Sequence, residues 1–143
     1  MVKVKYPVVT AVVFLWIGFI CAISFMEAWL KFQAPGITLP LGLGIGKLVF
    51  NALNKVECFF AVVIIVRAFL VKDRSISPEY ILFIIPGILL IVQTVWLLPA
   101  LNTYADMLIE GKSVSSGNLH FYYVSAEITK VFCLSVFGIK LFN

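Results

Sequence analysis

Four long apolar stretches dominate this 143-residue chain and constrain its fold more than any other feature. They cover approximately residues 7–32, 46–71, 78–98 and 119–141. Each exceeds the roughly 20 residues that a helix needs to cross about 30 Å of hydrocarbon. Only 13% of the residues are charged, against about 25% in a soluble domain. The sequence therefore predicts one all-α domain over residues 1–143, an integral membrane four-helix bundle.

Prolines and glycines mark the predicted helix ends. The first helix ends before the Ala-Pro-Gly sequence at 34–36. An uncharged, glycine-rich loop follows, and the second helix is expected to begin near Gly46. The third helix is expected to begin near Pro78 and to end before Pro99, because prolines favour first turns and interrupt helix interiors. A polar helical extension from Pro99 to Ile109 is also predicted.

The basic residues predict the orientation in the membrane. One side carries Lys3, Lys5, Arg67, Lys72, Arg74 and Lys140. The other side carries Lys31, Lys47 and Lys112. Cytoplasmic loops hold the excess of lysine and arginine, so both termini are predicted to be cytoplasmic. The net charge of +4 is explained by this topology, and no nucleic-acid partner is expected.

Polar residues inside the apolar stretches are the clearest functional signal. They are Glu27, Asn51, Asn54, Glu57, Gln93, His120, Glu127 and Lys130. Measured from the predicted helix ends, all lie in the outer half of the membrane, and the inner half is apolar. Ionisable and amide groups are costly in hydrocarbon and persist mostly where they face each other, a ligand or a water-filled cavity.

Helical geometry places many of these residues on shared faces. At about 100° per residue, four side chains of the last helix fall within an arc of about 80°. They are His120, Tyr123, Glu127 and Lys130. On the second helix one face carries Lys47, Asn51, Asn54 and Cys58, with Glu57 at its margin. Glu127 and Lys130 are three residues apart and can form an ion pair.

Two interpretations of the polar cluster stay open. Taken one at a time, its members are explained as contacts that hold membrane helices together. Taken as a set, they indicate a one-sided polar pocket that binds a small cation, a polar small molecule or a lipid headgroup, with Glu57 and Glu127 central. The alternatives are a membrane-embedded, metal- or cofactor-dependent redox enzyme and an accessory subunit of a larger membrane complex. Membrane lipids are expected partners, and a homo-oligomer is an open alternative.

The cofactor, if there is one, is not specified by the sequence. Glu57, His120 and Glu127 are candidate metal ligands, but the paired Glu-x-x-His motifs of di-metal four-helix proteins are absent. One histidine cannot supply two axial ligands to a haem within one chain, which argues against haem. A through-channel is not expected, because the inner helix halves offer no polar lining.

The order of short motifs resembles a known family. Met-Glu-Ala-Trp at 26–29 precedes the Pro/Gly loop, Gly-Lys-Leu-Val-Phe at 46–50 opens the second helix, and Trp-Leu-Leu-Pro at 96–99 closes the third. With 120–130 opening the last helix, this pattern resembles the four-helix membrane proteins similar to human transmembrane protein 205 and its bacterial relatives, a domain of unknown function. The resemblance implies the topology and a bacterial inner (plasma) membrane location. The family is distantly similar to copper-resistance and haem-associated four-helix membrane proteins. Those proteins rely on histidines that this chain lacks.

Overall fold

The computed structural model describes residues 4–70, 80–115 and 117–142. Within these residues, four helices are long and apolar enough to span a membrane. Helix α1 covers Pro7–Gln33, α2 covers Leu39–Leu70, α3 covers Ile81–Ile109 and α4 covers Leu119–Lys140. The predicted all-α, four-helix membrane architecture is thereby confirmed. The predicted end of α2 at residue 71 and the predicted start of α3 near Pro78 lie outside the described residues.

The four helices form a ring in chain order. α1 packs against α2 and α4, and α3 packs against the same two helices. A backbone hydrogen bond from Lys5 N to Leu141 O, 3.0 Å long, joins the residues before α1 to the end of α4. We call the end of the bundle that holds these residues the terminal end. The opposite end, which holds residues 34–38 and 110–115, is called the loop end.

Helix α2 begins at Leu39, so the prediction of a start near Gly46 is wrong. Thr38 Oγ1 accepts a hydrogen bond from the Leu41 backbone N–H at 3.4 Å, as the side chain that caps a helix does. Pro40 lies in the first turn, where its missing N–H has no helical partner to lose. These residues extend α2 through the glycine-rich segment that the sequence suggested was a loop.

Two glycines allow helices to approach each other closely. A methyl group at Gly42 would lie 2.1 Å from the Phe32 ring, so only glycine lets the end of α1 pack on α2 in this arrangement. A methyl group at Gly138 in α4 would lie 3.2 Å from both Val13 and Phe14 of α1. Small residues are enriched where membrane helices meet. Here they lie where α1 packs against α2 and against α4.

Helix α3 contains a π-helical segment at Gln93–Leu97. The N–H of Leu98 donates to Gln93 O, five residues back, instead of the usual four. Pro99 follows and has no N–H to donate, and such features bend helices. The part of α3 before this segment contacts mainly α4, and the part after it contacts mainly α2.

Apolar side chains from all four helices fill the terminal half of the bundle. The buried residues there include Val13, Ile20, Ile64, Phe83 and Phe137. This agrees with the prediction that one half of the bundle is apolar. Large apolar side chains also cover the outside, with Phe69 at 85% exposure and Leu48 at 74%. Since such surface is unfavourable in water, it is the surface that the lipid chains contact.

Candidate functional site

Lys130 carries its charge inside the bundle. Its Nζ lies 2.5 Å from Glu57 Oε1 and 3.2 Å from Glu127 Oε1, and all three side chains are fully buried. Glu127 and Lys130 lie three residues apart on one face of α4, whereas Glu57 comes from α2. The predicted Glu127–Lys130 pair is confirmed, and the structure adds Glu57 to it.

Two neutral donors complete this group. Trp16 Nε1 of α1 donates to Glu57 Oε1 at 2.7 Å, and Gln93 Nε2 of α3 donates to Glu127 Oε1 at 2.8 Å. Both side chains are fully buried. We call Trp16, Glu57, Gln93, Glu127 and Lys130 the buried charge network. Each of the four helices contributes at least one side chain to it.

Three acceptor atoms of the buried charge network have no donor among the described residues. They are Glu57 Oε2, Glu127 Oε2 and Gln93 Oε1. With both carboxylates ionised, one lysine and two glutamates leave a formal charge of −1. Buried acceptors without donors and a buried net charge are both costly. The hydrogen bonds between its side chains therefore do not fully compensate the burial of the network.

The buried charge network lies near the middle of the helices. At 1.5 Å per residue, Glu57 lies about 20 Å and Lys130 about 15 Å from the terminal ends of their helices. That the cluster lies in the outer half of the membrane stays a prediction.

A second set of polar contacts joins α2 to α3. Its pairs are Lys47–Asp106, Asn51–Asn102 and Asn54–Thr94. Lys47 Nζ lies 2.6 and 2.7 Å from the two Asp106 carboxylate oxygens, and Asn54 Nδ2 donates to Thr94 Oγ1 at 2.9 Å. We call these three pairs the α2–α3 seam. The seam satisfies the predicted polar face of α2 through side chains of α3, in the way that polar groups hold membrane helices together.

Glu27 lies apart from both groups. Its Oε2 is 3.2 Å from Lys31 Nζ, one turn further along α1. This contact between residues four apart needs no second helix. Glu27 is therefore not brought together with Glu57 and Glu127, although the sequence grouped the three carboxylates.

His120 is exposed at the loop end and also lies apart from the buried carboxylates. Within residues 4–70, 80–115 and 117–142, no three histidine, cysteine, aspartate or glutamate side chains are grouped closely enough to hold a metal ion. The proposed metal set of Glu57, His120 and Glu127 is thus not assembled in this structure.

A cavity of about 580 Å³ lies at the loop end, between α1, α2, α3 and the start of α4. Phe32, Leu101 and Leu108 are among the apolar side chains of its walls. Its titratable lining groups include Lys31, Lys47, Tyr104, His120 and Tyr123, and no carboxylate of the described residues lines it. We call it the loop-end cavity. Of the predicted ligand-binding residues, His120 and Tyr123 contribute to its lining.

Tyr123 connects the loop-end cavity to the buried charge network. Its side chain lines the cavity although it is only 3% exposed, and the carboxylates of Glu127 and Glu57 are its charged neighbours. The ring also meets Phe50 edge to face, with ring centroids 5.4 Å apart. The Tyr123 side chain therefore reaches both the loop-end cavity and the neighbourhood of the Glu127 carboxyl group.

Sequence reasoning missed several members of these groups. Trp16 lies in an uninterrupted apolar run, where nothing distinguishes an indole that donates a hydrogen bond from one that packs. Asn102 and Asp106 carried a usable signal, because their spacing of four residues places them on one face of α3. That face is the one that meets Lys47 and Asn51.

No protein-family model, no curated protein and no solved structure matches this chain. The resemblance to the four-helix proteins similar to human transmembrane protein 205 therefore stays a prediction.

Proposed function

We propose that this integral membrane protein binds one anionic phospholipid in the loop-end cavity. The observation that carries the proposal is the lining of the cavity, which combines apolar walls with Lys31, Lys47 and His120 and includes no carboxylate of the described residues. Ligand sites are typically clefts of about 300–1,000 Å³ with apolar walls and a few polar groups. The volume of about 580 Å³ fits a headgroup and part of an acyl chain.

The two lysines are held in place by groups that lie outside the cavity lining. Glu27 pairs with Lys31, and Asp106 pairs with Lys47 through both carboxylate oxygens. The Lys31 ammonium also lies 5.4 Å from the Phe32 ring centroid and 5.6 Å from that of Phe50. Positioned cations of this kind bind phosphate oxygens through charge-assisted hydrogen bonds.

The sequence suggested three ligand classes, of which the proposal retains the lipid headgroup. It places the binding site in the loop-end cavity instead of at Glu57 and Glu127. Glu57 and Glu127 are not part of the cavity lining. An anionic ligand is repelled by carboxylates and attracted by the lysines, so the loop-end cavity suits it better than the buried charge network does. The excess of lysine and arginine at the other end supports an orientation with cytoplasmic termini and the cavity on the outer side.

Native mass spectrometry of the full chain, delipidated and then exchanged into vesicles with phosphatidylglycerol or phosphatidylcholine, tests this function. We expect one phosphatidylglycerol molecule bound per chain and weaker binding of phosphatidylcholine. Lys31→Met should lower the phosphatidylglycerol affinity about tenfold, which corresponds to about 1.4 kcal/mol. Lys55→Met is the control with the same change of residue type, because Lys55 is an exposed lysine of α2 that does not line the cavity.

The same preparation separates the alternatives. Equal binding of both lipids, or equal losses in the two lysine variants, would contradict the proposal. A visible absorption band or stoichiometric metal favours the membrane-embedded enzyme. A protein that co-purifies at fixed stoichiometry favours the accessory subunit, and a defined multimer of this chain favours the homo-oligomer.

A further inference from the structure

The buried charge network has two defects, and one proton would cancel its charge and pair two of its three unpaired acceptors. Its formal charge is −1 when both glutamates are ionised, and three of its acceptor atoms have no donor among the described residues. All of its members are at most 1% exposed. Neither defect is used by the lipid-binding function proposed above, since Glu57, Gln93 and Glu127 do not line the loop-end cavity.

We propose that the buried charge network binds one proton at neutral pH, held on Glu127 Oε2 as a carboxylic acid that pairs with the side-chain amide of Gln93. The network is then a proton-binding site in the middle of the bundle. It is separate from the loop-end cavity and next to it.

The Gln93 amide is already positioned for such a pair. Its Nε2 donates to Glu127 Oε1 at 2.8 Å, while its own Oε1 and Glu127 Oε2 both lack donors. A carboxylic acid and a primary amide each present one donor and one acceptor along one edge. A proton on Glu127 Oε2 can therefore be donated to Gln93 Oε1, and this pairs two of the three unpaired acceptors at once.

Glu57 is held more closely by its donors than Glu127 is. Its Oε1 accepts from two donors, Lys130 Nζ at 2.5 Å and Trp16 Nε1 at 2.7 Å. Glu127 is further from the lysine, with 3.2 Å between Lys130 Nζ and its Oε1. Hydrogen bonds to the charged form of a carboxyl group stabilise that form. Lys130 and Glu57 then form a neutral ion pair, and Glu127 is neutral beside it.

The groups around Glu127 do not offer another way to balance the charge. α1 contributes Trp16 and α3 contributes Gln93, neither of which titrates near neutral pH. α2 contributes Glu57, and α4 contributes Lys130 and Tyr123, whose hydroxyl lies beside the Glu127 carboxyl group and brings no positive charge. With the proton in place, the formal charge of the network is zero. The large cost of a net charge in a low-dielectric interior is thereby avoided.

Isotope-edited infrared spectroscopy tests this inference on the full chain. The protein is labelled with ¹³C at the glutamate side-chain carboxyl, placed in phosphatidylcholine vesicles at neutral pH, and measured in H₂O and D₂O. A carboxylic acid C=O band that shifts with the label and with deuterium reports a protonated glutamate. We expect one protonated glutamate per wild-type chain, and this measurement needs no variant to fold.

Three variants test the charge balance by the number of protonated glutamates that each should contain. Glu127→Gln leaves the neutral Glu57–Lys130 pair and should remove the band. Lys130→Met leaves two buried carboxyls without a cation, so both take protons and the band should double. Glu110→Gln is the matched control, because Glu110 is an exposed glutamate that pairs with Lys112 away from the network, and the band should stay unchanged.

The opposite results overturn the proposal. Absence of the band from the wild type means that both carboxylates are ionised. A band that appears only when sodium and potassium are removed assigns the site to a monovalent cation. A band that persists in folded Glu127→Gln protein places the proton on another glutamate. Lipid binding in the loop-end cavity is measured independently, so either idea can fail alone.

Discussion

Burial of the charged Lys130 side chain is unfavourable by itself and depends on two buried carboxyl groups. The Lys130 ammonium group is fully buried, and its contacts to Glu57 and Glu127 take the place of hydration. Replacement of a whole buried ion pair by apolar residues is often neutral or stabilising, whereas loss of one partner is strongly destabilising. We infer that the buried charge network fixes how the helices are rotated against each other, because its members come from all four helices.

Trp16→Phe isolates one hydrogen bond of the network. The change keeps an aromatic ring in the core and removes the N–H that reaches Glu57 Oε1 at 2.7 Å. We expect the free energy of unfolding to fall by about 1.5–3 kcal/mol, because the bond is made to a charged group. Unfolding in mixed micelles with increasing dodecyl sulfate measures it. Trp96→Phe is the control, because Trp96 is 56% exposed. Its free energy of unfolding should differ from that of the wild type by less than about 0.5 kcal/mol. Equal losses in the two variants would argue against the role of Trp16.

Tyr123→Phe tests whether the phenol connects the network to the loop-end cavity. The buried carboxyl band should persist, because the variant keeps Glu127, Gln93 and Lys130. Its hydrogen–deuterium exchange should slow several-fold, because the hydroxyl between cavity and carboxyl is gone. Time-resolved infrared spectra after transfer to D₂O measure the rate. Tyr122→Phe, at the exposed neighbouring residue, should leave it unchanged, and a similar rate in all three proteins would exclude this route.

At the scale of the helices, the polar face of α2 was predictable and its partners were not. Asn51 and Asn54 share a face by their spacing alone. Their contacts to Asn102 and Thr94 depend on how α3 is bent and rotated after the π-helical segment at Gln93–Leu97. No periodicity within α2 carries that information.

The start of α2 is another feature that the sequence did not predict correctly. Glycines weaken helices in water, so the segment between 34 and 46 suggested a loop. Glycine is more frequent in membrane helices than in soluble ones. At Gly42 the reason is contact, because the Phe32 ring occupies the space of the missing side chain.

Gly42→Ala and Gly44→Ala separate helix propensity from packing. A methyl group at Gly44 meets nothing within 4 Å, whereas one at Gly42 would lie 2.1 Å from Phe32. Both changes favour the helix by about 0.5–1 kcal/mol. We expect Gly42→Ala to be less stable than Gly44→Ala by about 1 kcal/mol, the low end for overpacking, because the partly exposed Phe32 ring can move. Unfolding in detergent compares the two proteins directly, and equal stability would show that the contact is not required.

The whole molecule has a dry terminal half, a charged centre and an open loop end. Residues of the hydrophobic core occupy the first layer, the buried charge network the second and the loop-end cavity the third. The apolar layer lies between the network and the terminal end, whereas Tyr123 connects the network to the loop-end cavity.

The orientation of this layered bundle is testable with reporters. Green fluorescent protein fused after residue 143 should fluoresce in cells of a bacterial host, because the Lys/Arg bias predicts that both termini are cytoplasmic. Alkaline phosphatase inserted after Lys112 should be active, because the loop end is predicted to face the outside. Fluorescence from an insertion after Lys112 together with phosphatase activity from the C-terminal fusion would reverse the orientation.

The sequence by itself determined that four apolar helices cross the membrane and that polar groups lie within them. The physical reason is that hydrocarbon demands a length and a composition that are visible in each segment separately. The tertiary structure alone decided which polar groups meet. Glu27 is paired within its own helix, whereas Glu57, Gln93, Glu127 and Lys130 meet at the centre with a tryptophan that had carried no polar signal. Such meetings depend on the rotation and relative height of separate helices, which are fixed only when all four pack together.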